Sequence, residues 1–95
     1  MNKYEALFII NPNVEEAGIK ELIEKFSTLI NSNGKVESVE EIGRKKLAYP
    51  VKKNLEGFYA LINFESDGTI ISELERNFRI TDEVIKFIVI KKDKN

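Results

Sequence analysis

The sequence predicts an α+β sandwich, in which one four-stranded antiparallel sheet carries two helices on a single face. Three observations predict it. Four segments carry apolar residues as strands do, the third of them in clean alternation, and apolar residues recur at helical spacing in two others. The segments run strand, helix, strand, strand, helix, strand. Pro50, which cannot donate to a ladder, falls in the second strand, where this order places a sheet edge.

Residues 4–10 form the first strand. Ala6, Phe8 and Ile10 point one way and Leu7 and Ile9 the other, so both faces are covered at least in part. Asn11-Pro12 ends the strand. Asn13 is expected to cap the following helix, with Glu16 three residues on in capping-box position. Ile19, Leu22, Ile23, Phe26, Leu29 and Ile30 make its apolar face, and Lys20, Glu21, Glu24 and Lys25 its solvated one. Asn33-Gly34 is the stop signal, with Gly34 suited to a left-handed conformation.

Residues 35–51 read as a long second strand whose apolar members are Val36, Val39, Ile42, Leu47, Tyr49 and Val51. The alternation slips near Gly43, which predicts a bulge. Residues 52–56 are expected to turn. Residues 57–65 form a third, central strand, in which Phe58, Ala60, Ile62 and Phe64 alternate with Tyr59, Leu61 and Asn63. Ser66-Asp67-Gly68-Thr69 leads into a short helix carrying Ile70, Ile71, Leu74 and Phe78. Residues 83–91 are the last strand.

This order is that of the ferredoxin-like split βαβ fold. Right-handed crossovers place the first and third strands in the middle, giving the sheet order 4-1-3-2. The length of 95 residues suits one such domain spanning 1-95.

Composition removes whole classes of chemistry. There is no Cys and no His. Disulfide frameworks, Cys/His zinc sites and Cys–His or Ser–His–Asp catalysis are excluded with them. No GxxxxGK phosphate loop occurs, and the acidic residues show neither a paired acid/base arrangement nor metal-ligand spacing. The loop after the first strand, Asn11-Pro12-Asn13-Val14, lacks the Arg that an acyl-phosphate hydrolase of this fold would need. No apolar run approaches membrane length, and no signal-peptide pattern opens the chain, so a soluble cytoplasmic protein without cofactor, metal or small-molecule substrate is expected.

With both helices on one face, function turns on the open face and the edges. Arg44, Lys45, Lys46, Lys52 and Lys53 fall within ten residues that contain no acid, and Tyr49 lies between the two groups. Cations with an interleaved aromatic suit phosphate contact and base stacking. Lysines on an edge strand also block edge-to-edge aggregation, and such a patch also suits a small anionic ligand. Residues 56–63 lie where an RNA-recognition motif would carry its aromatic signature. Glu56, Tyr59, Ala60 and Asn63 break that signature, so Phe58 and Phe64 are assigned to the core.

The chain resembles the bacterial small-subunit ribosomal protein six family. The resemblance runs nearly end to end. It rests on Tyr4-Glu5 with Phe8-Ile9-Ile10-Asn11-Pro12, on the segment 41–53 with its basic triplet and Leu47-Ala48-Tyr49-Pro50, on Gly57-Phe58-Tyr59 and on residues 74–82. It implies a ferredoxin-like structural protein. It also implies binding to the central domain of small-subunit ribosomal RNA, as a heterodimer with small-subunit ribosomal protein eighteen. Carried over, Arg44, Lys45, Lys46, Tyr49, Lys52 and Lys53 match the family's basic segment as phosphate contacts. Lys3 is a secondary candidate, and Lys86 occupies a position often basic in the family. Ile42 stands where many members carry Trp, so stacking by that ring does not transfer. The many members with a longer acidic tail differ from this chain, which runs only to Asn95. The rival expectation is a ferredoxin-like regulatory or small-ligand-binding domain.

Overall fold

The computed structural model describes residues 1–92. The elements are β1 (Asn2–Ile10), α1 (Glu16–Asn31), β2 (Gly34–Val51), β3 (Asn54–Ser66), α2 (Ile71–Ile80) and β4 (Val84–Lys91). Neighbouring strands are antiparallel in the order β2-β3-β1-β4, which is 4-1-3-2 read from the other edge. β3 lies at the centre and β2 at an edge, as the alternation and Pro50 require.

One layer of side chains joins the sheet to both helices. Tyr4, Ala6, Phe8 and Ile10 of β1 and Ala60, Ile62 and Phe64 of β3 are buried against Ile19, Ile23, Phe26 and Ile30 of α1 and Leu74 and Phe78 of α2. The Phe78 ring centre lies 5.0 Å from that of Phe8, 4.5 Å from Phe26 and 5.1 Å from Phe87, an aromatic knot where both helices meet the sheet. Phe64 is fully buried and Phe58 packs against the same cluster, so neither is a stacking platform.

The local signals at the ends of α1 work differently from expectation. Asn13 does not cap the helix, which starts at Glu16 with Glu15 at the cap position and no side-chain cap bond. Instead the Asn13 N–H donates to Asn11 Oδ1 at 2.8 Å, so the asparagines shape the loop after Pro12. Gly34 is not left-handed either, since the positive-φ glycines are Gly43 and Gly68. The helix ends on Ser32, whose N–H reaches the Thr28 carbonyl at 3.1 Å. Gly34 is needed for another reason: a Cβ there would lie 2.3 Å from the Glu65 carbonyl oxygen. The close approach of β2 to β3 requires a residue without one.

β2 is mostly exposed. Of its apolar residues only Val36 packs against the main core; Val39, Ile42 and Tyr49 are exposed. The strand runs past the helices, which cover it only near its start at Val36. Its pairing with β3 slips between Val36 and Ser38, between Glu41 and Gly43, and between Lys46 and Val51. The second slip coincides with Gly43 at φ 106°, which is the bulge the alternation predicts. The third sets residues 47–50, with Pro50 among them, opposite Leu55 alone. The hairpin turn is then two residues, Lys52 and Lys53, closed by the Val51–Asn54 pair. The five-residue turn expected at 52–56 is too long because β3 begins at Asn54. Lys-Lys carries none of the Asn or Gly signals that mark such a turn.

The approach to α2 is held by side-chain bonds. Asp67 Oδ1 accepts the Thr69 N–H at 2.9 Å and the Thr69 hydroxyl at 2.7 Å. These bonds hold the Asp67 carboxyl below its ordinary pKa. Asn33 donates to Thr69 Oγ1 and ties this turn to the end of α1.

Candidate nucleic-acid interface

The strand register decides where each basic side chain stands. Residues directly opposite in an antiparallel pair share a face. Arg44 opposes Phe58 and Lys46 opposes Glu56, on the helix side of the sheet. Lys45 opposes Gly57 on the open side. The triplet is therefore split by strand alternation and does not form one stripe. Both faces are accessible here, because β2 has already passed the helices. Lys52 and Lys53 occupy the turn beyond the bulge. All five cations thus gather at one pole of the sheet.

Lys86 joins that pole. It pairs with Ile9 on β1 and lies on the open face. The four-residue bulge brings Tyr49 over the same region. Tyr49, Tyr59, Ile9 and Lys86 line one open-face hollow of about 130 Å³, with Leu47 and Val51 on its hairpin side. A neighbouring hollow of about 300 Å³ shares Ile9, Tyr59 and Lys86 and continues to Leu7 and Ile88. Tyr49 itself is 78% exposed, so its ring is available to a partner. Tyr59 is the residue that sequence reasoning passed over. Its signal was its phase: it alternates with the core set of β3 and opposes Gly43, which places it on the open face.

The charges at this pole are little compensated. Arg44 Nη1 lies 3.5 Å from Glu56 Oε1, an exposed pair that holds one cation loosely. Among the described residues, no ion pair involves Lys45, Lys46, Lys52, Lys53 or Lys86.

Lys3 stands elsewhere. It opposes Glu65, six residues along β1 from the Lys86 pairing, or about 20 Å at strand spacing. Its ammonium is 3.6 Å from Glu37. The region around it is a polar network: Lys92 reaches Glu5 at 3.8 Å and Asn63 Oδ1 at 2.5 Å, and the Asn63 amide donates to Ser38 Oγ at 3.0 Å. Among the described residues, one end of the open face therefore carries cations without ion pairs, and the other carries neutralised ones.

No helix among the described residues is long and apolar enough to cross a membrane. No group of three or more Asp or Glu among them could hold a metal ion. The pole offers ammonium groups, exposed aromatic surface and a shallow hollow, with no acid/base pair or nucleophile among them.

The chain has matches among known proteins along nearly its whole length. The pattern of the ribosomal protein S6 family matches residues 3–91. Small ribosomal subunit protein bS6 of Clostridium acetobutylicum is 48% identical over 95 residues, covering 99% of this chain and all of the relative. The bS6 protein of Clostridium novyi is 50% identical over the same length and coverage. The crystal structure of 30S ribosomal protein S6 from Thermotoga maritima superposes with a TM-score of 0.92 at 39% identity, covering 96% of this chain and 87% of that one. An Arabidopsis thaliana protein at 16% identity and TM-score 0.59 shares the fold alone.

Fold and matches together define a structural protein of the small ribosomal subunit, not an enzyme. It works in the cytoplasm, within the ribosome. The chain belongs to the ribosomal protein S6 family.

Proposed function

We propose that this protein binds the central domain of small-subunit ribosomal RNA together with small-subunit ribosomal protein eighteen, with which it forms a heterodimer. The observation that carries the reading is the gathering of Lys45, Lys46, Lys52, Lys53 and Lys86 at one pole with no ion-pair partner among the described residues. Arg44 joins them once Glu56 releases it, and Tyr49 supplies a ring for a base or sugar. Lys3 is a secondary contact at the far end, where Glu37 competes for it. About five phosphate contacts give modest affinity that falls steeply with salt. A formal net charge of −1 leaves no general attraction to RNA beyond this pole. A basic partner protein supplies the missing charge and ordered surface.

The test is a binding titration of a central-domain RNA fragment at two salt concentrations, with this protein alone and with protein eighteen added. The expected result is weak, salt-sensitive binding alone and tight binding with the partner. Equal affinity in the two conditions overturns the heterodimer, and no binding in either overturns the RNA reading.

A further inference from the structure

At the hairpin tip, backbone and sequence disagree. Two-residue turns whose central residues both have positive φ are ordinarily built from Asn-Gly or Asp-Gly. Here Lys52 sits at φ 49° and Lys53 at φ 67°, the two non-glycine residues with positive φ among the described residues. A side chain with a Cβ disfavours that region. Strain of this kind persists where the surroundings hold it, and it clusters at functional sites.

The surroundings here are sparse. One rung, Val51 with Asn54, closes the turn before the four-residue bulge interrupts the ladder. The Asn54 side-chain amide donates to the Lys52 carbonyl at 3.3 Å and steadies the first left-handed residue. The two lysines are consecutive and exposed, and neither has an ion-pair partner among the described residues. Edge protection does not account for them. That role places lysines along the free row of an edge strand, as Lys45 and Lys46 are placed, and a turn has no such row.

We propose that Lys52 and Lys53 are positioning cations whose strained backbone gives up fold stability to hold two ammonium groups side by side for the RNA phosphate backbone. The proposal rests on the RNA reading above and adds which residues the turn geometry serves.

The test uses the full chain, protein eighteen and the central-domain RNA fragment. Two variants separate backbone from charge. Lys52→Asn with Lys53→Gly supplies the favoured turn and removes both charges. Lys52→Gln with Lys53→Gln removes the charges and keeps the strained side chains. The first variant is expected to melt about 4–8 °C higher and to bind RNA about tenfold more weakly. Its salt slope should fall by about 1 for each phosphate that is no longer neutralised. The glutamine variant should show the same drop in affinity and slope without the gain in Tm. An Asn-Gly variant no more stable than wild type overturns the strain. Unchanged affinity and slope in both variants, with wild type binding normally, overturns the phosphate role alone. Absence of binding by wild type removes the RNA reading itself, and this inference with it.

Discussion

Gly34 opens β2 at a point where two backbones nearly touch. A Cβ there would meet the Glu65 carbonyl oxygen at 2.3 Å and Ser66 Cβ at 3.2 Å, and the carbonyl belongs to the central strand and cannot move aside. Gly34→Ala is expected to destabilise the fold by about 1–3 kcal/mol as the start of β2 is pushed from β3. Urea unfolding measures it, and an unchanged midpoint would show that β2 can shift freely at this end. The glycine itself was visible in the sequence, but its reason was not. Asn-Gly after a helix reads as a left-handed stop, whereas the close approach arises only when Gly34 and Ser66 pair across 32 residues of chain.

At the scale of elements, periodicity carried most of the information. Both helices and the alternation of β3 follow from apolar spacing, because each buries one face against one core. Pro50 and Gly43 were legible as edge and bulge, since each imposes a backbone constraint of its own. The hairpin turn was not, because Lys-Lys carries none of the residues that ordinarily build it; one rung, Val51 with Asn54, closes it. The division of the basic triplet between two faces was likewise hidden. It depends on cross-strand register, which three slips along β2 adjust. α2 shows how much a legible element contributes. It is ten residues long and anchors itself through Leu74 and Phe78. Phe78→Ala removes the ring that touches Phe8, Phe26 and Phe87 together and is expected to cost about 3–5 kcal/mol. That corresponds to a fall in Tm of more than about 12 °C. A loss under 1 kcal/mol in thermal or urea unfolding would mean that the two helices are not joined through this ring.

The whole molecule separates its two tasks. The core lies between sheet and helices, and the candidate contacts lie at the pole that β2 and β3 reach after passing the helices. Substitutions at that pole should therefore spare the fold. The triple change Arg44→Glu, Lys45→Glu and Lys46→Glu is expected to weaken RNA binding by the heterodimer at least tenfold and to flatten its salt dependence. Tm should move by less than about 12 °C, since exposed substitutions of this kind are usually within about 0.5 kcal/mol each, or about 1.5 kcal/mol for three. Unchanged affinity would remove these three residues from the interface. A collapse of Tm would show that the pole helps to hold the sheet.

The gathering of cations at one end has a further consequence in time. A molecule of formal charge −1 whose positive groups crowd one pole carries balancing negative charge elsewhere and so has a permanent electric dipole. In the field of a polyanion such a body rotates before it arrives. Encounters are then biased toward the hairpin leading, and wrong approaches are repelled before contact. The association rate, more than the lifetime of the bound state, should fall as salt shortens the reach of that torque.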